Sequence, residues 1–226
     1  MALTFTEENY IKTIYMLLRK DAVVSTTALA AAIGTTPASV TDMSGKLRDK
    51  QLVEYEKYRG LTLTPQGLKA ALLIIRRHRL WECFLVDQLK FSWEEVHEIA
   101  EELEHVRSVK LTERLSDLLG NPQVDPHGDP IPDASGRIPR TIQENLLNVL
   151  DYKKLEVATV TDQSASLLKF LDRNGIRPGA QLDILERHDF DHSVEIRVKK
   201  RSPLTISEQI AKHIYVRTNP KAGGRP

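Results

Sequence analysis

Between residues 23 and 53 the sequence VVSTTALAAAIGTTPASVTDMSGKLRDKQLV breaks at Ile33-Gly34-Thr35-Thr36, and that break constrains the fold more than any other feature. Glycine reaches the left-handed backbone that ends a helix, and Thr36 followed by Pro37 is a cap and a first-turn residue, so two short helices are predicted, over 26–32 and 37–49. This is helix-turn-helix spacing. Directly behind it, VEYEKYRGLTLT alternates as two strands about a turn at Arg59-Gly60, which makes a small basic hairpin, or wing. Helices joined by glycine occur in many bundles, but the hairpin that follows makes winged-helix DNA binding the more specific reading. The second helix would present Thr36, Pro37, Ser39, Thr41 and Asp42 near its amino end to the major groove of double-stranded DNA, with Lys46, Tyr58 and Arg59 on phosphate or in the adjoining groove. For Thr36 and Asp42 the competing reading is capping and intrahelical bonding.

The rest of the chain organises around this element. Residues 6–19 read as a first helix, with Thr6 as the candidate cap and Tyr10, Ile11, Ile14, Leu17 and Leu18 at three- and four-residue spacing. A long helix over 65–90, opened by Pro65, and helices over 93–105 and 109–119 would form a bundle with a stripe left for dimer contact. GNPQVDPHGDPIPDASGRIP has no periodic pattern and is too long for a simple turn, so a functional loop or linker is expected there. After a short helix in SLLKFLDRNG come three strands, in RPGAQLDILERHD, HSVEIRVKK and HIYVRT, which indicates a small SH3-like β-barrel. The predicted chain is therefore mainly α with a small β part: a winged helix-turn-helix at 1–64, a helical metal-binding and dimerisation domain at 65–140, a linker at 141–156, an SH3-like domain at 157–219 and a disordered tail at 220–226. No basic leader or long apolar run is evident, and the single cysteine, Cys83, excludes a disulfide framework or a thiolate zinc cluster. Both point to the cytoplasm and away from a membrane.

A formal net charge of +1 conceals an asymmetry. From Lys46 to Arg79 nine Lys or Arg face three acids, whereas from Glu82 to Asp117 ten acids face four bases, so one half could meet a polyanion and the next a cation. The acidic half contains HEIAEELEH, residues 97–105. On a helix His97, Glu101, Glu104 and His105 fall on one strip, where like charges repel unless water or a cation lies against them. His78 and Glu82, one turn apart on the long helix, could face that strip. Imidazole and carboxylate without thiolate suit Mn(II) or Fe(II) and would accept Zn(II) or Co(II) in vitro. The alternative is a solvated helix face with two satisfied histidines. An enzyme reading is weaker, because HEIAE departs from the zincin HExxH at Glu101.

The ordered series EENYIKTIYML, TTPASVTDM, YEKYRGLTLT, RRHRLWECFL, VHEIAEELEH and DPHGDPIP resembles the diphtheria toxin repressor family of metal-dependent regulators, over about residues 4–132. The SH3-like domain is similar to that of the family's longer members. The resemblance implies a homodimeric repressor that binds operator DNA when loaded with Fe(II) or Mn(II). It implies a primary site at Asn9, Glu101, Glu104 and His105, a neighbouring site at His78, Glu82 and His97, loop ligands Asp125 and His127, and a ligand from the last domain at Asp162 or Gln163. Three positions depart from the family pattern or divide its branches. Position 9 is Asn where the family has methionine or aspartate, and an amide brings no charge. Lys12 replaces a glutamate of manganese-type members, which argues against a closely spaced metal pair, and Glu101 replaces the cysteine of the iron-selective branch, which favours manganese. Cys83 is read as core. In this scheme a metal clamps the first helix against the dimerising helices. A metal-independent winged-helix regulator would bind the same DNA in chelator, and a carboxylate/histidine metalloenzyme would turn over substrate and bind no operator.

Overall fold

The computed structural model describes residues 3–56, 60–139, 141–150 and 154–218, which form two compact units. The first comprises residues 1–81, 101–118 and 131–138, and the second residues 82–100, 119–130 and 139–226.

The first unit opens with α1 (Phe5–Leu18). Its cap is Thr4 rather than Thr6: the Thr4 hydroxyl accepts from Glu7 N–H while the Glu7 carboxylate accepts from Thr4 N–H, a reciprocal pair that satisfies two end donors. Ser25 caps α2 (Thr26–Ile33), which ends at Gly34 with φ +76°; Thr36 caps α3 (Pro37–Asp49) with Pro37 in the first turn. Both helices and their punctuation are as predicted. Strands β1 (Val53–Glu56) and β2 (Gly60–Leu63) pair antiparallel, Val53 opposite Leu63, and Leu61 also bridges to Val24. Tyr58 and Arg59, expected to reach DNA from the wing tip, lie outside the described residues. Ile11, Ile14, Leu29, Val40, Leu47 and Leu61 are fully buried and hold the three helices and hairpin together. The long helix α4 (Pro65–Asp87) starts against this core: a Cβ on Gly67 would lie 1.8 Å from the Leu52 carbonyl oxygen, so only glycine permits the approach. Helices α5 (Val96–Leu103) and α6 (Val109–Leu118) follow, and Arg76 on α4 pairs with Glu113 and donates to Pro132 O.

Buried Glu7 also receives the Lys50 ammonium at 2.6 and 2.8 Å. Burial pushes its carboxyl up, but Lys50 and the Thr4 amide outweigh this and hold it below the usual carboxylate range. A pKa lower in the folded state means stability that is present above the unfolded value of about 4.3 and lost as pH falls through the folded one. Glu7→Gln is therefore expected to flatten the acid limb of thermal stability, read by circular dichroism from neutral pH downward; an unchanged limb contradicts the assignment.

The second unit is built on a six-stranded antiparallel sheet in the order β3-β8-β4-β5-β6-β7. Its members are β3 (Glu144–Asn145), β4 (Leu155–Val160), β5 (Gln181–Arg187), β6 (Val194–Val198), β7 (Leu204–Ile206) and β8 (Ile214–Thr218), with α7 (Ala165–Arg173) and α8 (Glu208–Ala211) between them. This is the small β domain expected, with three strands beyond those predicted. Within the stretch 141–156, expected as a linker, β3 pairs with β8, β4 begins at Leu155, and Leu146 and Val149 are in the core. Arg187 secures that stretch by donating to the carbonyls of Leu146, Leu147 and Val149. Among the described residues no helix is long and apolar enough to cross a membrane.

Candidate metal centres

Among the described residues, acid and imidazole side chains gather within each unit. In the first, α1 contributes Glu8 and Lys12, the first part of α4 contributes Arg77 and His78, and Glu101 to Arg107 supply the rest. The Lys12 ammonium lies 3.0 Å from Glu101 Oε1 and 2.7 and 2.9 Å from the two oxygens of Glu104. His78 Nδ1 donates to Glu104 Oε2 at 2.7 Å. Burial pushes the Glu104 carboxyl up, yet His78 and Lys12 prevail and hold it below its ordinary value. Beside it, buried Glu8 accepts from His105 Nδ1 at 2.7 Å and pairs with Arg77 at 3.0 Å and Arg107 at 3.1 Å.

Asn9, expected as a primary ligand, is exposed, and Glu8 is the α1 residue at His105. One residue is about 100° on a helix, enough to exchange the inward for the outward face. Glu101 and Glu104 do come together, and His78 also meets Glu104. Besides the two imidazoles, the groups around these carboxylates are the cations Lys12, Arg77 and Arg107, with the Lys12 ammonium already seated between Glu101 and Glu104. That arrangement does not fit a divalent ion.

In the second unit, Glu82 from the later part of α4 meets the turn 125–129. Ligand atoms of Glu82, Asp125 and His127 all lie within 4.8 Å of one another, and all three residues are buried. The turn is tightly specified. Asp125 Oδ1 accepts from His127 N–H at 2.8 Å and Asp129 N–H at 3.0 Å, which fixes the carboxylate. His127 Nε2 is 2.9 Å from the Trp93 carbonyl oxygen; a carbonyl only accepts, so Nε2 carries the proton and Nδ1 is the side that faces Glu82 Oε2, at 3.8 Å. That separation is too long for a hydrogen bond but is one that two ligands about 2.1 Å from a common ion would span. Trp93 stacks on the imidazole, ring centroids 5.6 Å apart, and Arg177 lies over the indole. Burial pushes the His127 pKa down, but Glu82, Asp125 and the Trp93 carbonyl outweigh this and raise it. His97, 41% exposed, approaches Glu82 Oε1 to 3.4 Å. Oriented oxygen and imidazole donors without sulfur suit a hard or borderline divalent ion, and this cluster fits one. Cys83, buried next to Glu82, donates to Val124 O and has its thiol pushed up by burial; it is core, as expected.

The remaining expected residues lie elsewhere. Asp162 accepts from Ser164 N–H at the start of α7 and is 3.7 Å from His213 Nε2, so it organises the helix entry; Gln163 beside it is half-buried. Thr36, the cap of α3, and Pro37, Ser39, Thr41, Asp42 and Lys46 on it are all exposed, whereas Val40, Ser44 and Leu47 are buried. Thr36 also caps Ser39 N–H, and the Thr41 hydroxyl bonds back to Pro37 O. Sequence reasoning missed Glu8, Arg77, Arg107 and the Trp93 carbonyl. Only the charge of the first three was visible, and a main-chain acceptor leaves no sequence signal.

The chain matches family models described as iron dependent repressor, N-terminal DNA binding domain, over residues 2–61, and iron dependent repressor, metal binding and dimerisation domain, over residues 64–133. A FeoA domain model matches residues 145–218. Over 127 residues the chain is 35% identical to the iron-dependent repressor IdeR of Mycobacterium tuberculosis, spanning 56% of this chain but only 55% of that protein. It is 38% identical over 112 residues to the HTH-type transcriptional regulator MntR of Geobacillus kaustophilus, covering 50% of this chain and 79% of that one. A solved manganese-dependent transcriptional repressor in complex with manganese superposes with a TM-score of 0.85 at 34% identity, covering 94% of this chain and 100% of the other.

Proposed function

This chain belongs to the iron-dependent repressor family, and from that premise we propose that it is a metal-activated transcriptional repressor, a homodimer that binds operator DNA in the cytoplasm when loaded with Mn(II) or Fe(II) and silences genes of metal uptake. The observation that carries the proposal is the buried trio Glu82, Asp125 and His127, with the proton of His127 held on Nε2 by the Trp93 carbonyl. Glu82, Asp125 and His127 would hold the ion, which would supply a divalent charge to two carboxylates and an imidazole. The residues do the rest. Glu82 sits on α4, so its position relative to the 125–129 turn sets how the later part of that helix is held. The exposed side of α3 supplies the reading surface: Pro37 and Ser39 are placed for apolar and hydroxyl contacts to base edges, Asp42 for a cytosine amine, and Lys46 for phosphate. Exposed apolar side chains on α6, Val109 at 75% and Leu118 at 63%, support pairing of two copies.

A sulfur-free donor set places Mn(II) and Fe(II) ahead of softer ions. Coupling of about 1–3 kcal/mol between metal and DNA is enough to change operator affinity five- to more than a hundredfold. The test is a DNA mobility assay over a metal series with a chelator control, alongside elemental analysis of the purified chain. Retardation with Mn(II) or Fe(II) that disappears in chelator is expected. Retardation that persists in chelator marks a metal-independent winged-helix regulator instead, and metal binding without DNA binding removes the repressor reading.

A further inference from the structure

We propose that Lys12 is a built-in cation standing where the first cluster would otherwise hold an ion, so that this regulator takes one activating metal per chain, at Glu82, Asp125 and His127, and ties α1 to its neighbours without one. The inference rests on the reading of the chain as a metal-binding regulator, and its test is built to fail separately from that reading.

Three observations within the first unit carry it. The Lys12 ammonium donates to Glu101 Oε1 at 3.0 Å and Glu104 Oε2 at 2.9 Å, and lies 2.7 Å from Glu104 Oε1, so one cation faces both carboxylates. The Glu104 side of the contact is sheltered, with Lys12 14% and Glu104 0% exposed, whereas Glu101 is 51% exposed; the attraction to Glu104 is weakly screened, and the lysine is a charge that makes its burial tolerable. Charge is also balanced locally. The carboxylates Glu8, Glu101 and Glu104 are matched by Lys12, Arg77 and Arg107, and a divalent ion added among them would leave an excess of positive charge in a buried place. Because the ammonium is covalently tethered to α1, an incoming ion competes with a cation at high effective concentration. The link between α1 and the segment 101–107 is thus present in every metal state. Metal responsiveness is left to the second cluster.

The experiment is an ion count. The full chain is stripped with chelator, equilibrated with Mn(II) and analysed for bound manganese per chain, for the wild type and for Lys12→Met, Glu104→Gln and Glu82→Gln. Expected are one ion for the wild type, one for Glu104→Gln, and two for Lys12→Met, where the uncovered carboxylates recruit a second ion. A wild-type count of two that falls to one in Glu104→Gln overturns the proposal, as does a Lys12→Met chain that melts cooperatively yet binds only one ion. Should Lys12→Met fail to fold, the wild-type and Glu104→Gln counts decide alone. A wild-type count of zero, or no loss in Glu82→Gln, strikes the metal-regulator reading or its site and not the role of Lys12.

Discussion

Glu82→Gln is expected to remove Mn(II) binding and, with it, metal-dependent retention of operator DNA. Glutamine keeps the volume and one acceptor oxygen, so the packing of α4 is preserved, but it deletes the charge at the point where Glu82, Asp125 and His127 converge. Losing an outer partner of a metal ligand typically costs about 10–100-fold in affinity, and losing a charged ligand sets the expectation at or above the upper end of that range. Calorimetric or chelator-competition titration reads the affinity, and the mobility assay reads the consequence on DNA. Because Glu82 is fully buried, the thermal midpoint must be followed in parallel. A folded Glu82→Gln chain with wild-type Mn(II) affinity would show that the ion binds elsewhere.

A comparable loss is expected from Gly128→Ala, although glycine offers no ligand. Gly128 has φ +87°, in the region that costs an L-residue about 1–2 kcal/mol, and its Cβ would fall 1.9 Å from Ala158 O and 2.9 Å from Thr159 Cα. The turn must then lift from β4. Two bonds hold it there, Val160 N–H to His127 O at 2.9 Å and the Thr159 hydroxyl to Gly128 O at 2.9 Å. The sheet domain therefore positions His127 through the backbone of the turn. An affinity loss of about 10–100-fold, the range for outer-shell damage, is the expected result in a Mn(II) titration. Thr159→Val, which removes the hydroxyl without adding bulk to the turn, should weaken binding in the same direction by less. If both variants bind Mn(II) as the wild type does, docking of the turn on β4 has no part in the metal centre.

Much of the reading head was legible because its rules are local. Gly34, Thr36 and Pro37 act within a turn of themselves, and the alternation of the wing spans a few residues, so helix ends and strand pairing could be read directly. The cap of α1 lies two positions before the predicted one because Thr4 and Thr6 both precede an apolar period, and only the reciprocal bond to Glu7 distinguishes them. LEVATV was set across a linker boundary because six residues of mixed polarity carry little signal until Leu155, Val157 and Val160 are seen to face one core.

By itself the sequence determined the winged helix, the helical middle, the small β domain and the kinds of side chain that could meet a metal. Tertiary structure alone decided the grouping of those side chains. Lys12 reaches Glu101 and Glu104 across 89 and 92 residues of chain, and His127 takes its orientation from a carbonyl 34 residues away. The physical reason is range: capping and periodicity act over a few bonds, whereas an ion pair or a ligand set depends on which distant surfaces the buried core brings within about 3–4 Å.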